Sequence, residues 1–229
     1  AGHVIKPNSS LVENAPEYYM SMGHTAEEVA NRYGVSREEQ DAFAVESHKR
    51  AANAIKEGKF KEEIVPVEVS ERFVSKNNKI EEKKFIFDTD EGVRPDTTME
   101  VLAKLRPAFS VKGSVTAGNS SQMSDGAASV LLMDREKAEA EGLTPLLKFR
   151  AFAVAGVEPE VMGIGPVEAI PKAVKLAGLE IFDIGLFDLN EAFASQSVQV
   201  IRALNLDPES GNVNGGAIAH GHPLGATGA

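Results

Sequence analysis

Residues 184–189 (Ile-Gly-Leu-Phe-Asp-Leu) read as a buried-type strand. They run straight into Asn190-Glu191-Ala192-Phe193-Ala194, from which a helix is predicted to continue to about residue 204. A strand that ends on polar residues at a helix start fits α/β architecture and is a common place for chemistry. Two more apolar runs of strand length, 127–133 and 146–154, extend the pattern. Residues 166–177 read as a helix with Pro166 in its first turn and Pro171 expected to distort it.

The part before about residue 120 lacks this alternation. Thr25-Ala26-Glu27-Glu28 reads as a capping box opening a short helix that Gly34 ends, and Ser36-Arg37-Glu38-Glu39 as a second box opening a longer one. The longer helix is predicted to reach about Glu57 before Gly58 stops it. Phe43, Ala44, Ala51, Ala54 and Ile55 share one face, and Glu46 pairs with Arg50 one turn on. Residues 64–69 alternate like a strand, and 75–84 read as an exposed loop before a second strand at Phe85-Ile86-Phe87. A boundary is expected near residue 120, between an α-rich, irregular part and an α/β part.

Composition narrows the chemistry. The 229 residues contain no cysteine, so disulfides, Cys-ligated metals and thiol nucleophiles cannot come from this chain. A formal net charge of −10 repels phosphate backbones and anionic lipid surfaces, which argues against nucleic-acid and membrane partners. No apolar run has the roughly 20 residues of a membrane span, and a soluble, cytoplasmic protein is expected. The opening at Ala1 and the Gly-rich close on Gly225-Ala226-Thr227-Gly228-Ala229 lead us to expect a stretch of something longer.

Several constellations have both a functional and a bland reading. The tandem helices about Gly34-Val35-Ser36 have helix-turn-helix spacing, but the second opens with Arg37-Glu38-Glu39-Gln40-Asp41, whose acids repel DNA, so a structural helical hairpin is expected. His220 and His222 lack a nearby third ligand, so no metal site is expected. They are either loop histidines or parts of a site in which Gly215, Gly216 and Gly221 admit a ligand close to the backbone. Gly118-Asn119-Ser120-Ser121-Gln122 departs from the hydrolase nucleophile elbow at Gln122. Asn190 could simply cap its helix.

Three blocks in this order carry a resemblance: Val115-Thr116-Ala117-Gly118-Asn119-Ser120-Ser121 with Asp125-Gly126-Ala127-Ala128, then Asn190-Glu191-Ala192-Phe193-Ala194, then Asn214-Gly215-Gly216-Ala217-Ile218-Ala219 with Gly221-His222-Pro223-Leu224-Gly225-Ala226-Thr227-Gly228. Met22-Gly23-His24-Thr25-Ala26-Glu27, Arg37-Glu38-Glu39-Gln40-Asp41 and Ala103-Lys104-Leu105-Arg106-Pro107-Ala108-Phe109 extend it over nearly the whole chain from about residue 17. Together they resemble the thiolases.

The resemblance implies a five-layered αβαβα core built from two halves, incomplete here, with an α-rich loop domain inserted in the first half to cover coenzyme A. Residues 1–120 would be that loop domain, 121–143 the last part of the first half, and 144–229 an incomplete second half. The family's nucleophilic cysteine would lie upstream of this stretch and its acid/base cysteine downstream. His222 would match the histidine that activates the nucleophile and helps form an oxyanion hole, and Asn190 the asparagine that positions a water there. Arg94 would lie near the nucleotide part of coenzyme A, Ala117 and Ser121 along the pantetheine arm, and Met22 and Phe109 at the acyl end. Coenzyme A would be a cosubstrate, with acyl-CoA the other partner and no permanently bound cofactor. The complete protein would be a homodimer or homotetramer.

Ser21 stands where many biosynthetic acetoacetyl-CoA thiolases have His, so the resemblance leans toward the degradative 3-ketoacyl-CoA thiolases of fatty-acid oxidation. His220 replaces an apolar residue usual in its motif, and two histidines so close are expected to shift each other's protonation. Neither His220 nor Glu191 receives a role. A biosynthetic thiolase and a non-catalytic acyl-CoA-binding scaffold remain the alternatives.

Overall fold

The structure is a computed structural model and describes residues 7–229. Its helices are α1 Ser9–Asn14, α2 Met22–Tyr33, α3 Arg37–Glu57, α4 Met99–Leu102, α5 Arg135–Ala140, α6 Gly165–Leu176, α7 Ala194–Leu204 and α8 Ala217–His220, and its strands are β1 Val67–Val74 and β2 Ile80–Phe87.

Helix α3 forms as its sequence dictates. Ser36 Oγ accepts the Glu39 N–H at 3.2 Å while the Glu39 carboxylate accepts the Ser36 N–H at 2.8 Å. Gly58, left-handed at φ +72°, closes the other end. Gln40, Ala44, Ser47, Ala51 and Ala54 recur at three- and four-residue spacing as a buried stripe of mostly small side chains, and α7 and α8 pack against α3. Glu46 and Arg50 pair at 2.8 Å on the outer side.

The first capping box is not one. Helix α2 starts four residues earlier, with Ser21 in the N-cap position, and Thr25 Oγ1 donates to the Met22 carbonyl at 2.8 Å from inside the first turn. Glu27 is withdrawn from the surface: its carboxylate accepts the Ser114 and Val115 backbone N–H groups at 2.9 and 3.0 Å. Nor do α2 and α3 form a self-packed hairpin; they diverge from Gly34, and both pack on α7. The buried cluster of Ala44, Leu102, Ala194 and Ile218 draws on residues from both sides of position 120.

The strands depart furthest from expectation. β1 begins at Val67, and β2 takes in residues 80–84 in place of the expected loop, so only 75–79 turn, with Asn78 at φ +54°. Glu71 opposite Lys83 and Arg72 opposite Glu82 let a charged ribbon pair while nearly all of it stays exposed. Residues 127–133, 146–154 and 184–189 form no strand; the last makes one parallel bridge, Phe187 to Gly211. A strand exists only with a partner for its backbone groups; among the described residues none lies beside 127–133 or 146–154, and 184–189 has only that single bridge. Leu146 and Leu147 are consequently 92% and 93% exposed. Helix α6 is continuous through Pro171, whose side is exposed.

Candidate active site

A cleft of about 1240 Å³ opens where the start of α2, the 120–126 segment, the entry to α7 and the loop after α8 meet. Asn190, His222, Met22, Phe109 and Ser121 all line it. Arg94 and Ala117 do not: both are exposed outside the cleft, Arg94 beside His48, whose Nδ1 accepts the Arg94 N–H at 3.2 Å.

Each wall has a sequence cause. Residues 119–121 lie antiparallel to 192–194: Ser121 N–H donates to the Ala192 carbonyl and Ala194 N–H to the Asn119 carbonyl, both at 2.9 Å. That register rests on Asn119, fully buried, whose Nδ2 donates to Asp41 at 2.9 Å and whose Oδ1 accepts the Thr116 N–H at 2.8 Å. Ser120 is spent structurally, its hydroxyl donating to the Thr116 carbonyl at 2.7 Å, and serves no hydrolase elbow. Phe109 meets Phe193 edge-on at 6.0 Å, and Gly23 leaves room for the Phe109 ring where a Cβ would collide.

Asn190 does not cap α7; Phe193 occupies that position. Its side chain faces the cleft instead, with Nδ2 3.4 Å from His222 Nε2. His222 Nδ1 lies 2.8 Å from Thr227 Oγ1, and that hydroxyl donates to the Pro223 carbonyl at 3.1 Å. A hydroxyl with its proton committed must accept, so the network assigns the proton to Nδ1 and leaves the Nε2 lone pair toward Asn190. Asn190 Oδ1 is buried and accepts no hydrogen bond from the described residues.

The glycines admit the protein rather than a ligand. A Cβ on Gly215, which sits at φ +80°, would lie 2.6 Å from Ala51 Cβ and 2.7 Å from the Ser47 carbonyl; one on Gly216 would strike the Glu191 carboxylate, and one on Gly221 the Ser124 hydroxyl. These close approaches seat α8 on α3 and fix the loop that carries His222.

His220 turns away from His222. Its Nδ1 meets Asp90 at 3.3 Å, its Nε2 the Asn214 carbonyl at 3.1 Å, and its ring the edge of Phe60 at 5.0 Å. Burial alone would lower its pKa, but hydrogen bonds to Asp90 and Asn214, with the charges of Asp90 and Glu191, raise it above the ordinary 6.5. The charge of His220 acts on His48 instead: burial, Arg94 and His220 together lower the His48 pKa. No group of three metal-ligating side chains occurs among the described residues.

Sequence reasoning missed Ser47 and Asn212, and it gave Thr227 and Glu191 no role although both stand in its motifs. Thr227 lies five residues after His222 in a Gly-rich stretch, a local cue. The contacts joining Glu191 to Ser47 span 144 residues and leave no local trace.

The thiolase N-terminal domain family model matches residues 5–136 and the thiolase C-terminal domain model residues 143–229. A 3-ketoacyl-CoA thiolase of Bacillus subtilis is 71% identical over 99% of this chain and 58% of its own length. Among solved structures, the dimeric peroxisomal thiolase of Saccharomyces cerevisiae superposes with a TM-score of 0.88 at 42% identity, over 98% of this chain and 54% of its own. The Bacillus anthracis acetyl-CoA acetyltransferase does so with a TM-score of 0.85 at 45% identity, over 91% and 51%. The chain thus spans a little over half the length of these relatives, and its mixed helix-and-strand fold is an incomplete thiolase fold. On the two family matches and these likenesses, the chain belongs to the thiolase family.

Proposed function

We propose that this chain supplies the asparagine–histidine side of a thiolase centre that cleaves 3-oxoacyl-CoA with coenzyme A, giving acetyl-CoA and a shortened acyl-CoA. The observation that carries the reading is the meeting of Asn190 and His222, 32 residues apart in sequence, at 3.4 Å in one large cleft. The 71% identical relative named a 3-ketoacyl-CoA thiolase, together with Ser21 in place of His, favours the degradative reaction of fatty-acid oxidation.

The chemistry needs a thiolate to attack the keto carbon and an acid to protonate the departing acetyl-CoA carbanion. This chain has no thiol, so both sulfur groups belong to sequence it does not contain. His222, with its proton on Nδ1 held by Thr227, presents Nε2 as the base that takes a thiol proton. Once protonated, the same Nε2 becomes a donor toward an oxyanion. The family resemblance gives Asn190, which lines the cleft, the task of positioning a water whose proton faces the thioester oxygen as enolate character develops. A donor of this kind, placed in advance, is worth about 10² to 10³ in rate. Met22 and Phe109 offer apolar surface to the acyl chain, and Ser121 a polar contact to the pantetheine arm.

The proposal extends to the domain plan: 1–120 as the part that covers coenzyme A with Arg94 and Ala117 toward its outer portion, 121–143 as the close of the first half, and 144–229 as part of the second. It also includes a cytoplasmic homo-oligomer, in keeping with the bacterial relative and with the relative described as dimeric. No helix among the described residues is long and apolar enough to cross a membrane.

The test is an acetyl-CoA-forming assay with a 3-oxoacyl-CoA and coenzyme A. The 229-residue chain is expected to be inactive and a longer chain bearing both thiols active. Turnover by the purified short chain, or none by the longer one, would overturn the reading.

A further inference from the structure

Glu191 follows Asn190 but lines a separate cavity, of about 430 Å³, between α3 and α7. It is 1% exposed and takes no part in the chemistry above. Every partner of its carboxylate is a donor: Ser47 Oγ at 2.6 Å, Asn212 Nδ2 at 2.7 Å and the Ile218 N–H at 3.2 Å. Three donors around two oxygens are the surroundings of an ionised carboxylate, although burial pushes its pKa above the ordinary 4.5 and the hydrogen bonds oppose that rise.

The donors come from three separate segments. Ser47 belongs to α3 and also accepts the Gly216 N–H at 3.1 Å; Asn212 holds the Leu189 backbone from both sides, at 2.7 and 2.8 Å; Ile218 is the second residue of α8, which leads through Gly221 to His222. Among the described residues, segment 189–192 is joined directly to 216–222 by two hydrogen-bonding contacts: Ile218 to Glu191, and Asn190 to His222. The first is buried and charge-assisted, while the second, at 3.4 Å, is long and has little stiffness of its own.

We propose that Glu191 is a positioning residue: its carboxylate, fastened to Ser47, Asn212 and the Ile218 amide, sets the separation of Asn190 and His222 across the cleft and through it the turnover rate. The inference rests on the thiolase reading of that cleft. Glu191→Gln keeps the shape but gives one oxygen and one NH₂ to partners that are themselves donors, so one leg of the strut is lost.

In the full-length enzyme, Glu191→Gln is expected to lower kcat about tenfold or more with KM for coenzyme A changed less than about twofold, because misplacement of reacting groups acts on the chemical step. Carbethoxylation of His222 by diethyl pyrocarbonate, read by peptide mapping across a pH series on folded protein, should shift its pH profile in the same variant. This second readout does not need activity, so an inactive wild type would count against the thiolase reading while the strut is still judged by His222 reactivity. Unchanged kcat per folded enzyme, or an unchanged His222 profile, overturns the proposal; a lowered Tm alone marks a merely structural residue and does the same. Should Glu191→Gln fail to fold, Ser47→Ala removes one leg, with the same two readouts and a smaller expected change.

Discussion

Helices α2, α3, α7 and α8 bury one face of largely small and apolar residues each, whereas the segments 127–133 and 146–154, apolar in sequence, lie open to solvent. Ala44, Ala51 and Ala194 are fully buried, whereas Phe149 and Phe152 are 73% and 72% exposed. The difference is one of partners. A helix satisfies its backbone internally and needs only a neighbour for one face, which α7 supplies to α2 and α3. A strand needs another strand for every second backbone group, and hydrophobic composition cannot substitute for it. The candidate site sits on the helical side of that divide, which is why its geometry is formed within this chain.

The packing of the helical side is most sensitive at Gly215. Gly215→Ala places a methyl between α8 and the α3 backbone at a positive φ, and we expect a loss of about 3 kcal/mol or more in a denaturant titration. A change under about 1 kcal/mol would mean that α8 is not seated on α3 as described.

A smaller, pH-dependent effect is expected where residues 90–94 meet the helical side. His220, raised, contributes stability that is complete below about pH 6.5 and lost as pH rises through its folded pKa. His48, lowered, accepts the Arg94 N–H only when neutral; its contribution is complete above about pH 6.5 and lost as pH falls through its folded pKa. Asp90 and Glu191 face His220, and Arg94 and Asp96 act on His48. Melting curves from pH 5 to 9 should show His220→Leu losing the alkaline decline and His48→Leu the acid one. Profiles that stay parallel to wild type would contradict both.

The smallest effect belongs to the open segments. Leu147→Asp in the 229-residue chain should shift stability by less than about 0.5 kcal/mol, since there is no burial to lose. A loss of 2 kcal/mol or more would show that 146–154 is packed and would close the gap between the two regions.

What the sequence made legible follows the same divide. Ser36, Glu39 and Gly58 fix α3 by contacts within a few residues, so its bounds could be read directly. The Asn190 and His222 motifs were recognisable because they recur as short strings in a family. Glu27 and Glu191 were not legible: each looks like an ordinary helix-start acid, and only contacts 87 and 144 residues away reveal that each fastens a loop. The three missing strands were misread for the converse reason, since periodicity reports what a segment would bury and not whether a partner is beside it.

The central claim is that the Asn190–His222 pair, assembled in this chain, activates a thiol supplied by other sequence. The most direct test is His222→Ala in a chain that carries both thiols, with kcat and the alkylation rate of the nucleophilic thiol measured on the same sample. The account predicts that kcat falls by about 10² to 10³ or more, that alkylation slows, and that KM for coenzyme A stays near wild type. Turnover and alkylation both at wild-type rates would contradict it and reduce His222 to a loop residue.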